Sequence, residues 1–181
     1  MAPPDPERGL TRWLRAAPRG VFVAYASGAA FAVYFAMYAF RKPFAAASFE
    51  GPSFLGTGLD RKTVFVIAQV VGYTLSKYLG IKVVSEVGAE RRARALVALI
   101  GLAELALLLF GILPPEGQVL AIFLNGLPLG MVWGMVVRYL EGRRTSELLL
   151  AGLSTSFIVA SGVVKDVGRW LMRDRGVSQD W

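Results

Sequence analysis

Residues 119–137 read VLAIFLNGLPLGMVWGMVV, without one charged side chain. As an α-helix this run is about 28 Å long, enough to cross the hydrocarbon core of a bilayer. It is apolar on every side, whereas a helix on the surface of a water-soluble protein keeps a polar face. With Arg138 at its end it makes a span over 119–138, and four blocks of the same kind accompany it at 21–49, 63–84, 95–113 and 148–166. In the first, residues 21–40 are uncharged, and apolar character resumes after Arg41, Lys42 and Pro43 as far as Phe49. The second contains Lys77 and Lys82, the third a single carboxylate, Glu104, and the fifth is shorter and rich in Gly, Ser and Thr. The expected fold class is all-α integral membrane, a bundle of five transmembrane helices with an arm at 1–20 and a polar stretch at 167–181.

Composition agrees with that class. The 181 residues are 55% hydrophobic and 18% charged, with a mean hydropathy of +0.50, which excludes a disordered chain and argues against a soluble domain. There is no cysteine and no histidine, so disulfides, thiol catalysis, imidazole metal sites and Ser-His-Asp triads are impossible, and no cofactor is implied. A net charge of +7 would point to nucleic acid in a soluble protein. Here most basic residues lie in short loops between apolar blocks, where they set orientation and touch anionic headgroups; the partner is the lipid bilayer and no nucleic acid. A secretory signal does not fit the first block, whose core is too long and which four more spans follow.

Arginine and lysine collect on one side. The arm carries Arg8, Arg12, Arg15 and Arg19, the link between spans two and three Lys82, Arg91, Arg92 and Arg94, and the link between spans four and five Arg143 and Arg144. The 114–117 link on the other side has none, although Arg61, Lys62, Arg169, Arg173 and Arg175 weaken the bias. The expectation is a multi-pass protein of the inner or plasma membrane with a cytoplasmic amino terminus. The ending at Asp180 and Trp181 reads as a chain cut before a sixth span.

Small residues let membrane helices approach closely. Gly126, Gly130 and Gly134 repeat at four-residue spacing, as do Gly28, Ala32 and Ala36 on the first span, and both stripes are assigned to helix packing. Pro128 predicts a kink in the fourth span.

Charged groups inside apolar blocks are costly and therefore the best functional candidates: Arg41, Lys42, Lys77, Glu104, Arg138, Lys165 and Asp166. Tyr34, Tyr38 and Arg41 fall at i, i+4 and i+7 on one helix face, and Tyr73 and Lys77 at i and i+4 on the next span. Two cations and three phenols, with no carboxylate on either stripe, suit a small anionic solute. A guanidinium matches phosphate with paired hydrogen bonds and a lysine adds a mobile point charge. The alternative is that Arg41 and Lys42 mark the outer end of the first span and snorkel to headgroups beside an interfacial tyrosine belt. Glu104 is expected to pair with a neighbouring cation or to carry a proton. Lys165 and Asp166 mark the end of the fifth span. No paired carboxylates, metal-ligand set or nucleophile with its base is present, so an enzyme is not expected.

The run YFAMYAFRK at 34–42 resembles the first helix of the organophosphate:phosphate antiporters, a branch of the major facilitator superfamily that includes the glycerol-phosphate and hexose-phosphate transporters. YTLSKY at 73–78 is similar to their second helix, and GMVW at 130–133 followed by Arg138 to their fourth, in the same order and spacing. The chain also resembles an uncharacterised group of bacterial major-facilitator-like proteins. The antiporter resemblance implies the amino-terminal part of a twelve-helix transporter that holds its substrate between two six-helix halves and exposes it alternately to each side. It implies that Arg41 binds substrate phosphate and that Lys77, Tyr34, Tyr38 and Tyr73 line the cavity. The loop after the second helix departs from the superfamily pattern Gly-x3-Asp-Arg/Lys-x-Gly-Arg/Lys-Arg/Lys, reading KVVSEVGAERR at 82–92. The family's second phosphate-binding arginine belongs to the carboxyl-terminal half, expected from the same full-length chain or from a second subunit. A non-transporting membrane sensor or assembly protein with the same fold is the alternative.

Overall fold

A computed structural model describes residues 9–50, 53–140 and 146–181. Arg8, Arg143 and Arg144, which contribute to the charge bias, lie outside the described residues. The described helices are α1 (Gly9–Ala16), α2 (Arg19–Arg41), α3 (Arg61–Glu86), α4 (Ala89–Ile112), α5 (Pro115–Leu140) and α6 (Ser146–Asp174). Helices α2 to α6 are long and apolar enough to span a membrane, and the protein is an all-α membrane bundle.

Two boundaries differ most from the sequence expectation, each for a local reason. The first span does not continue as a helix to Phe49. Pro43 has no N–H with which to extend the ladder, so Lys42, whose N–H still reaches the Tyr38 carbonyl, is the C-cap, and the chain proceeds as a short 3-10 turn, Pro43–Ala46, before Ala47 turns extended at ψ 151°. At the other end of the chain, α6 runs past Asp166 to Asp174. Its stop is Gly176, whose φ of +66° lets the Val177 N–H reach back to the Leu171 carbonyl at 3.2 Å, a left-handed helix termination. Residues 175–181 then fold against the bundle, where the Gln179 side-chain oxygen accepts from the Phe49 N–H at 2.7 Å.

The principal pairings are α3 with α5, α4 with α5, and α2 with α6. Helices α3 and α5 start from the same end of the bundle and run parallel, and α2 and α6 start together from the opposite end. Glycine makes the first pairing close enough. A Cβ on Gly126 would fall 2.5 Å from the Gln69 carbonyl oxygen, and one on Gly130 2.7 Å from that of Tyr73. Gly134 faces Val84 and, from α3, Gly72 faces the Phe123 backbone, so the expected stripe packs along its whole length. The helix also continues unbroken through Pro128.

The second stripe does not pack. Gly28, Ala32 and Ala36 are exposed, and nothing lies within 4 Å of a Cβ on Gly28. Helix α2 instead turns Ala30, Tyr34 and Met37 inward against Leu149 and Leu153 of α6 and Leu129 and Val132 of α5. The larger side chains fill more interhelical space than the small stripe does, and the close approach is made by Gly152 against Ser27. A second core of Phe44, Phe49, Phe65, Phe110 and Ile122 closes the end of the bundle where α3 and α5 begin.

Replacing Gly130 by Leu is expected to lower stability by about 3 kcal/mol or prevent folding, while Gly28→Leu should be nearly neutral. Thermal unfolding of both variants in detergent checks this, and equal effects would remove the packing assignment. Asp60 caps α3 by accepting from the Thr63 N–H and hydroxyl, both at 2.7 Å, and these bonds hold its carboxyl below the ordinary value. The cap's contribution is therefore fully present above the unfolded-state value near 3.8 and lost as pH falls through the lower folded value. The gap in unfolding midpoint between wild type and Asp60→Ala should stay constant down to about pH 4 and close below it.

Candidate anion-binding site

Ending α2 at Arg41 leaves its last carbonyls without helical donors. That ending is packed among buried neighbours. Gln69, which contacts it, is about 12 Å from the Arg61 end of α3, and Asn125 about 15 Å from the Pro115 end of α5. Gln69 Nε2 donates to the Arg41 carbonyl at 3.1 Å and to Asn125 Oδ1 at 2.9 Å. Asn125 Nδ2 donates to the carbonyls of Phe40 at 3.2 Å and Ala103 at 3.1 Å. Both amides are buried, and together they tie the broken end of α2 to α3, α4 and α5. Arg41 is thus the last residue of its span, and its carbonyl is held about two turns in from the first turns of α3 and α5.

From there the Arg41 guanidinium turns onto Tyr73 of α3, 4.1 Å from the ring centroid, and lies 5.9 Å from that of Tyr38. Lys77 Nζ is 5.0 Å from the same Tyr73 ring. Tyr34 packs on Tyr38 at 5.7 Å and interacts with Tyr73 across the gap. The five side chains singled out from sequence are therefore in one place. Side chains alone make this junction, because the backbones of α2 and α3 are not packed together. Tyr34 is buried, Tyr38, Arg41 and Tyr73 are half-buried, and Lys77 is exposed. Behind them Trp133 meets Tyr34 edge-on at 5.3 Å, and Phe157 sits 4.7 Å from Tyr34, forming an aromatic wall from α5 and α6.

The other membrane arginines are occupied. Arg138 donates to the Val84 carbonyl at the end of α3, and Arg92 to the Arg138 carbonyl at 3.3 Å. Arg61 donates to Gln118 Oε1 at 2.7 Å and lies 3.5 Å from Asp180. Arg41 has no hydrogen bond or ion pair from any guanidinium nitrogen among the described residues, and its Nε is buried. A half-buried guanidinium without an acceptor is an unmet demand for an oxyanion.

Glu104 does not form the pairing expected of it. Helix α4 turns Ala103, Ala106 and Phe110 inward, which leaves Glu104 exposed between Leu102 and Leu105 and without a cationic partner among the described residues. Asp166 pairs with Arg169 at 3.0 Å on the surface. A cavity of about 630 Å³ lies elsewhere, between α2, α4 and α5, and is lined by apolar residues such as Phe22, Val33, Val97 and Ile100. The cationic patch is an open wall, not an enclosed pocket.

Sequence reasoning missed Gln69 and Asn125. The available signal was that each is a lone amide in an otherwise apolar run, a placement that a membrane tolerates only when the group is hydrogen-bonded.

Fold and site define a multi-pass helical membrane protein with a cationic, phenol-bearing patch on its first two spans. Residues 43–181 match a family of unknown function, DUF5690, and the chain belongs to that family. No curated protein and no solved structure matches it.

Asn125→Leu removes two carbonyl caps and the Gln69 partner, and is expected to cost about 1–3 kcal/mol. Its effect should be non-additive with Gln69→Leu, because the two amides share one network. Detergent unfolding of the double-mutant cycle, with hydrogen exchange at residues 38–46, measures both; simple additivity would show that the amides act separately.

Proposed function

We propose that the protein is the amino-terminal part of a major-facilitator-type secondary transporter, a carrier and not an enzyme, that moves a small organic anion by alternating access. A phosphorylated solute is the class that best fits a guanidinium beside a lysine and three phenols. The observation that carries this reading is the Arg41 guanidinium sharing the Tyr73 ring with Lys77, with neither an acceptor for Arg41 nor a carboxylate paired to either cation among the described residues.

Two architectural features support it. The pairings of α3 with α5 and of α2 with α6 join parallel helices that run in opposite directions in the two pairs. An inverted repeat relating α2–α3 to α5–α6 generates that pattern, and such repeats underlie many transporter folds. In addition, α2 gives way to a 3-10 turn beside the cationic patch, and irregular backbone next to membrane spans is tolerated where it is buried in protein or lines a watery cavity. In this reading the amino terminus is cytoplasmic in the plasma membrane, and the opposite wall of the cleft comes from a carboxyl-terminal half, in the same polypeptide or a second subunit.

In vesicles containing the full-length protein, Arg41→Lys is expected to reduce exchange of labelled phosphate by about 100-fold with membrane insertion unchanged, because a point charge loses the paired geometry. Normal exchange by this variant removes the site assignment. Wild-type phosphate binding without flux assigns the protein to a sensor role instead.

A further inference from the structure

Helices α2 and α6 lie side by side in parallel. Ser27 meets Gly152, Tyr34 meets Phe157 at 4.7 Å, and continuing both helices eight residues from the Tyr34–Phe157 contact brings Lys42 to the level of Lys165. Phe157, Ser161 and Lys165 fall at i, i+4 and i+8 on one face of α6, so Lys165 stands two turns beyond the ring that contacts Tyr34 and Tyr38. The turn Pro43–Ala46 packs on α6 as well, which holds Lys42 against that helix. Both lysines are half-buried, and the charges of Arg41 and Lys165 act on Lys42. Neither has an ion pair or hydrogen bond from its ammonium among the described residues, and the nearest carboxylate in sequence, Asp166, is engaged with Arg169.

Like charges packed together with partial loss of solvent repel, and a structural pair would be expected to carry a counterion from the protein. Among the described residues there is none. The two lysines also occupy a different flank of α2 from the patch already described: Arg41 and Lys77 meet on Tyr73 toward α3, while Lys42 lies at the level of Lys165 on the side where the turn after it packs on α6. A single phosphate at Tyr73 leaves the second pair of cations unbalanced.

We infer that Lys42 and Lys165 form a second anion subsite, so that the solute carries two anionic groups, one held by Arg41 and Lys77 and the other, a carboxylate or a second phosphate, by the lysine pair. This rests on the anion-transporter reading and narrows its substrate class. Lys42 and Lys165 would be specificity residues: they discriminate between solutes by the second group and leave the first contact unchanged.

The test is equilibrium binding to the purified full-length protein of two matched probes, propyl phosphate and the same molecule carboxylated at its free end. Wild type is expected to bind the carboxylated probe at least about 10-fold more tightly, as one well-placed charged contact provides. Lys165→Met and Lys42→Met should each remove that preference while leaving propyl phosphate affinity within about twofold, and Lys165→Arg should retain it. Retained propyl phosphate binding also shows that the variants are folded. Equal wild-type affinity for the two probes, or a preference that survives both methionine substitutions, overturns the second subsite alone. Absence of binding by either probe overturns the anion reading together with it.

Discussion

The structure depends on how a helix can end among packed neighbours. Helix α2 stops at Arg41, and the carbonyls of its last turn are met by buried side chains in place of water. Gln69 and Asn125 supply them, each amide dividing its two N–H groups between α2 and another partner. An unmet buried carbonyl costs about as much as a substantial fraction of a domain's net stability, so the helix end and the two amides are one feature. The same feature sets the site, because the helix end that needs capping is the one that carries Arg41.

Glycine packing and site geometry are likewise inseparable. Gly126 and Gly130 press against the α3 backbone at Gln69 and Tyr73, the residue that caps α2 and the residue whose ring receives both cations. A methyl group at either glycine would push α3 away from α5 and shift the amide and the ring together. The stripe touches no ligand in any reading, yet it determines the distance across which Arg41 and Lys77 share Tyr73. On the other side of α2 the closeness is made differently, by a single glycine at Gly152 and by an aromatic cluster in which Tyr34 meets Trp133 and Phe157.

What could be read from the sequence follows the strength of each physical signal. Five spans were legible because uncharged runs of bilayer length have few other uses, and the face shared by Tyr34, Tyr38 and Arg41 was legible because helical periodicity alone sets it. The end of α2 was not. Apolar residues resume after Pro43, so hydropathy continues through a point where the hydrogen-bond ladder stops, and Phe44 and Phe49 are buried by a turn and an extended segment. The stripe of Gly28, Ala32 and Ala36 misled for a related reason: spacing shows that small residues share a face, but which face is buried depends on partners distant in sequence. Glu104 follows the same rule, since only the rotation of α4 against α5 decides that it points outward.

The cations separate into two groups by what they touch. Arg61, Arg92 and Arg138 donate to carbonyl or side-chain oxygens near helix ends, and each joins elements that would otherwise fray. Arg41, Lys42, Lys77 and Lys165 have no such acceptors among the described residues, although three of them are half-buried. A fold selected for stability alone would place carboxylates or amides beside them, as it does for the Phe40 and Arg41 carbonyls a few ångströms away. Local violations of polar satisfaction concentrate at functional sites, where the missing partner is the ligand. The contrast within one chain, between a helix end capped by two amides and four neighbouring cations left without acceptors among the described residues, is the physical argument behind the anion-site proposal.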